Sequence, residues 1–128
     1  MIYLDTSVVL AQLLAEDRIP PEALWQEPLV SSRLLEYEVW TRLHSRGLGD
    51  SHGSAARDLL ARVALIELAP PALARALEPF PVPVRTLDAL HLAAVEFLRS
   101  LKQSVALATY DLRMVETVRR LGIPLYEM

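Results

Sequence analysis

Four acidic side chains carry the chemical interest of this 128-residue chain: Asp5, Glu38, Asp88 and Asp111. Asp5 directly follows the apolar run Ile2-Tyr3-Leu4, which reads as a buried strand, and Asp111 follows a second such run, Ser104 to Thr109, by two residues. Asp88 falls in the first turn of a strong helix that Thr86 opens. In an open parallel sheet, ligands bind beyond the carboxyl ends of the strands, near the point where strand order reverses. Asp5 and Asp111 are expected at that edge. Each of the three also has an ordinary reading: Asp5 and Asp111 as helix N-caps, Asp88 as a complement to the helix dipole. Glu38 is different. On a helix expected over 33–46, about 100° per residue places it inside the apolar arc of Leu34, Leu35, Val39 and Leu43. A charge there needs a partner, either Arg42 one turn on or a cation shared with Asp5. Glu36, at the edge of the arc beside Trp40, competes for the same role. His91 lies one turn past Asp88 and reads as a packed residue bonded to a backbone carbonyl.

Composition narrows the chemistry. The chain has no cysteine, which excludes disulfides, thiolate zinc sites and cysteine nucleophiles. His44, His52 and His91 have no zinc-helix spacing. A metal would therefore sit among oxygens, favouring Mg²⁺, with Mn²⁺ as the alternative. Four carboxylates brought together repel one another, and a divalent cation removes that cost. The net charge of −3 runs against the basic excess of many nucleic-acid binders, although a carboxylate cluster counts as negative until a cation joins it. Every basic residue except Lys102 is arginine, the better bidentate partner for phosphate; a GC-rich genome gives the same bias. Arg33, Arg42, Arg85 and Arg113 stand close enough to the acids in sequence to hold phosphates at a pocket rim.

With 52% hydrophobic and 23% charged residues the chain can bury a core. No apolar run reaches the roughly 18 residues of a membrane span. The start, MIYLDTSVVLAQLL, has no basic leader and is interrupted by Asp5, so no secretory signal is expected and the cytoplasm is the default.

The elements that must position the acids alternate. Strands are expected at 2–4, 29–30, 65–68, 104–109 and 123–126. Helices are expected at 8–15, 33–46, 51–63, 70–77, 86–101 and 112–121, with Thr6 or Ser7 capping the first. Short, continuously apolar strands between helices imply a parallel sheet covered on both faces. The expected fold is a three-layer α/β/α domain with a short, mainly parallel sheet, spanning 1–128.

Four segments together resemble PIN-domain proteins, and most of all the VapC-type toxins of bacterial toxin–antitoxin pairs. They are Leu4-Asp5-Thr6-Ser7, Ser31-Ser32-Arg33-Leu34-Leu35-Glu36-Tyr37-Glu38, Thr86-Leu87-Asp88-Ala89-Leu90-His91-Leu92-Ala93 and Ala108-Thr109-Tyr110-Asp111. The likeness runs over essentially the whole chain in the right order. It implies an acidic pocket of Asp5, Glu38, Asp88 and Asp111, with Asp5 and Asp88 as principal metal ligands and Thr6 or Ser7 helping through a hydroxyl or a water. It also implies an endoribonuclease, a homodimer and a cognate antitoxin protein that blocks the pocket. In that chemistry a water attacks the phosphorus of RNA, so the products are a 5′-phosphate and a 3′-hydroxyl, with one or two ions at work. Single-stranded or looped RNA is the expected target.

Two rivals bear on the same residues. An aspartyl-phosphate domain would use Asp5 as nucleophile, but the phosphatase pattern wants an Asp where Ser7 stands, and the receiver pattern wants a Lys late in the sheet, whereas Lys102 precedes the late strand. A non-catalytic PIN-like module binding protein or RNA would not need all four acids.

Overall fold

In the computed structural model, which describes residues 1–128, strands and helices alternate along the chain. Strand β1 (Ile2–Leu4) leads into helix α1 (Thr6–Leu14), and β2 (Leu29–Ser32) into α2 (Leu34–Ser45) and α3 (Gly49–Leu60). Strand β3 (Val63–Ile66) leads into α4 (Pro70–Ala76) and α5 (Thr86–Ser100), and β4 (Ala106–Ala108) into α6 (Leu112–Leu121). The sheet runs β3-β2-β1-β4 with every pairing parallel. It is a three-layer α/β/α fold.

The strands are mostly apolar because helices cover both faces of the sheet, and the two serines that end β2 are themselves fully buried. Side chains alternate across the sheet. Ile2, Leu4, Leu29 and Ala108 pack on one side with Val8, Leu35, Val39 and Leu43 from α1 and α2. Tyr3, Val30 and Leu107 pack on the other with Leu92, Val95, Met114 and Val118 from α5 and α6. Each fully buried Leu or Val contributes about 1.5–3 kcal/mol by leaving water.

Topology sets the place of the site. The chain steps outward from β1 through β2 to β3, then crosses back to lay β4 on the other flank of β1. Strand order reverses between β1 and β4, so their carboxyl ends, carrying Asp5 and the segment Thr109–Asp111, frame a crevice.

Several boundaries depart from the sequence-based expectation. Helix α3 stops at Leu60 and the strand after it occupies Val63–Ile66, not 65–68. Val63 pairs with Leu29 and Ile66 with Ser32, so ladder register outweighs the helical pattern that had carried the helix to Val63. The strand expected at 123–126 is a single parallel bridge, Leu107 to Leu125. Only two hydrogen bonds support it, Leu107 N to Pro124 O and Tyr126 N to Leu107 O, both 2.8 Å, and Pro124 has no N–H with which to extend it. The strand expected over 104–109 keeps only Ala106–Ala108. Helix α5 is capped at Arg85 without a side-chain bond rather than by Thr86. After Pro20-Pro21 a 3₁₀ turn, Glu22–Gln26, absent from the sequence-based expectation, buries Leu24. Gly122 closes α6 at φ 70, a left-handed conformation that turns Ile123 back into the core. No helix is long and apolar enough to cross a membrane.

Candidate active site

Asp5 stands where β1 ends and α1 begins. Its Oδ2 accepts from Ser7 Oγ at 2.6 Å, from Thr109 Oγ1 at 2.8 Å and, more weakly, from the Ser7 N–H at 3.4 Å. The carboxylate is thus an N-cap, and capping occupies one oxygen only; Oδ1 accepts no hydrogen bond from the protein. Thr109 in turn accepts the Asp111 N–H at 3.0 Å, and Ser7 Oγ accepts the Tyr110 N–H at 3.0 Å. The ends of β1 and β4 are therefore stitched together around Asp5.

Glu38 enters from α2, one helical face away from solvent. It forms no ion pair with Arg42. Its Oε1 accepts from Thr6 Oγ1 at 2.9 Å and from His91 Nε2 at 2.5 Å. His91 is 1% exposed, and its Nδ1 meets the Tyr3 hydroxyl at 2.8 Å. The expectation of a backbone carbonyl partner for His91 is thereby corrected: the ring points across to β1 and α2, where side chains supply the partners. Glu36 points elsewhere and pairs with Arg33 at 3.4 Å.

Asp88 lies in the first turn of α5 and Asp111 caps α6, accepting the Arg113 N–H at 2.9 Å. Arg85 spans both, with Nε 3.5 Å from Asp88 and Nη2 3.5 Å from Asp111. The Asp88 carboxyl titrates above the usual carboxylate range. Burial is the main cause, followed by the charges of Asp5 and Asp111, and Arg85 only partly offsets them. Like charges crowd this pocket, an arrangement common at functional sites.

All four acids line one open cleft of about 480 Å³, together with Thr6, Ser7, Arg42 and Arg85. Arg33 and Arg113, expected at the rim from the sequence, do not line it: Arg33 is tied to Glu67 at 2.9 Å and to Glu36. The cleft instead recruits Glu16, Asp17, Arg18 and Tyr110, which the sequence pattern did not single out. Arg18 lies over the Tyr110 ring, 4.9 Å from its centroid, and donates to the Tyr110 carbonyl at 3.2 Å. Nothing in the pattern around the α1–β2 connection marks Arg18; Thr109 and Tyr110, by contrast, sit at the same strand edge as Asp111.

The donor set is all oxygen and strongly acidic, which suits a hard divalent cation. No three of these groups lie together tightly enough to grip one ion. A Mg²⁺ ion needs only one or two carboxylates, because it keeps several waters. Asp5, with its free Oδ1, and the partly buried Asp88 carboxyl are groups that could hold such an ion.

The PIN-domain family model matches residues 2–120, and the chain belongs to that family. Two curated proteins of Mycobacterium tuberculosis are similar to it over nearly their whole length. Ribonuclease VapC46, from strain ATCC 25618 / H37Rv, is 34% identical over 125 residues, covering 95% of this chain and 93% of its own. Ribonuclease VapC47, from strain CDC 1551 / Oshkosh, is 30% identical over 129 residues with the same coverage.

Proposed function

We propose that this PIN domain is a magnesium-dependent endoribonuclease, the toxin of a toxin–antitoxin pair, with Asp5, Glu38, Asp88 and Asp111 as its acids. One observation carries the reading: four carboxylates from four separate elements line a single cleft. The names of the two relatives supply the reaction class.

Asp5 and Asp88 hold the cation, Mg²⁺ or in its place Mn²⁺. When bound, such an ion would supply positive charge against the substrate phosphate and would make water more acidic. Thr6 and Ser7 keep the adjoining carboxylates oriented through the bonds already described. Asp111, fixed by its cap bond and by Arg85, and Asp88 beside it are the acids that orient the attacking water. Arg42 and Arg85 take the flanking phosphates at the rim, where a planar guanidinium matches two phosphate oxygens. Water as the nucleophile leaves a 5′-phosphate and a 3′-hydroxyl. A single strand fits such an open cleft better than an A-form duplex, whose bases side chains cannot reach in the major groove. The chain works in the cytoplasm as a homodimer, held in check by an antitoxin that covers the cleft.

The test is cleavage of end-labelled single-stranded RNA by purified protein. Cutting is expected with Mg²⁺ or Mn²⁺, to stop in EDTA, and to fall by more than about 100-fold in Asp5→Asn. Unchanged cutting by that variant would overturn the proposal, and RNA binding with no cutting at any metal concentration would favour a non-catalytic module. Growth arrest on expression, relieved by Asp88→Ala, and a neighbouring reading frame for a short DNA-binding protein are the outcomes expected of a toxin.

A further inference from the structure

Of the three histidines only His91 is buried, and the reaction outlined above gives it no task. We infer that His91 is the positioning residue of the cleft: its imidazole, set by Tyr3, holds one Glu38 oxygen and so leaves the other as the oxygen Glu38 presents to a cation. The inference rests on the functional reading just given.

Hydrogen-bond logic fixes the direction of the contact with Glu38. An ionised carboxylate only accepts, so His91 Nε2, 2.5 Å from Glu38 Oε1, carries a proton. Nδ1 meets the Tyr3 hydroxyl at 2.8 Å, with the two rings edge-on at 78°. Thr6 Oγ1 donates to the same Oε1 at 2.9 Å and lies 3.3 Å from Nε2. Oε1 thus has two protein donors and Oε2 has none. A bond to the far nitrogen is a general means of setting imidazole tautomer and orientation.

On the Tyr3 side the ring is closed off from solvent. Tyr3 is fully buried, and burial pushes its phenol well above the ordinary value, so it keeps its proton. Beside it lie Ser31 and Ser32, both fully buried, so no route leads from the ring to water on that side. What the chain of bonds does accomplish is mechanical. It joins β1, α1, α2 and α5, and His91 is one turn past Asp88, so the elements that bear Asp5, Glu38 and Asp88 are locked in one register.

Mn²⁺ titrated calorimetrically into the full chain tests this without relying on turnover. His91→Leu is expected to weaken Mn²⁺ binding by about 10- to 100-fold. His91→Gln, whose amide N–H reaches toward the same oxygen, is expected to recover most of the loss. If wild type binds no Mn²⁺, the functional reading falls and this inference with it. If wild type binds and a folded His91→Leu protein binds equally well, the positioning role alone is overturned. Should the Leu variant not fold, wild type decides through long-range ¹H–¹⁵N spectra of its histidines. Added Mg²⁺ is expected to move the His91 Nε2 signal while His44 and His52, nearer the surface, stay in place; a His91 signal that stays still on binding overturns the role.

Discussion

At the scale of single residues, Asp88 carries the tension of the cleft. Its carboxyl is raised in the folded protein, first by burial and then by Asp5 and Asp111. A group raised on folding stabilises while protonated. Its contribution is complete below the ordinary carboxylate value of about 3.9 and is lost as pH climbs through the higher folded value. In EDTA, Asp88→Asn is therefore expected to melt about 2–4 °C above wild type at pH 7, the gain shrinking toward pH 4. Added Mg²⁺ should narrow the gap by stabilising wild type alone. Thermal melts across pH, with and without the ion, check this. The four acids themselves were legible in the sequence because each follows a strand or opens a helix, or interrupts an apolar arc. The partners that hold them were not. Thr109 reaches Asp5 across 104 residues, and His91 reaches Glu38 across 53. Local spacing carries no trace of such pairs; they exist only once the sheet is assembled. The arginines show the same limit from the other side: Arg33 is near the acids in sequence yet commits its guanidinium to Glu67 and Glu36.

At the scale of elements, the alternation of apolar runs with helical periods made the parallel sheet readable, since both faces of the central strands β1 and β2 are buried. Boundaries were set by partners instead. Val63 looked like the last turn of a helix but pairs with Leu29, and the run after Gly122 looked like a strand but meets β4 at one bridge. Punctuation fared better. Gly122 ends α6 with φ 70, and a Cβ built there would meet no atom within 4 Å. The cost of Gly122→Ala is thus conformational alone, about 1 kcal/mol. Urea denaturation should show that loss while RNA cleavage stays at the wild-type level, because the turn lies away from the cleft.

At the scale of the whole molecule, the proposed function asks an acidic protein to hold a polyanion. The chain carries a net −3, so attraction must be local: Arg18, Arg42 and Arg85 at the cleft, together with whatever cation the acids take up. Binding of single-stranded RNA to the cleavage-dead Asp5→Asn protein is expected to weaken with salt. Arg42→Glu should flatten the dependence by about 0.7 in the log–log slope for each phosphate that is no longer neutralised. Arg33→Glu should leave it near that of the parent, since its partners lie outside the cleft. Filter binding across a salt series separates the two.

The return of the chain to the far flank of β1 also has a temporal consequence. Asp5 is made first, yet its Thr109 bond and the neighbouring Asp111 arrive more than a hundred residues later. A ribosome that has synthesised through Ser100 has already linked three of the acids into the chain but not the strand that seats the fourth. During its own translation, the polypeptide stays without a complete set of the acids on which the proposed activity depends.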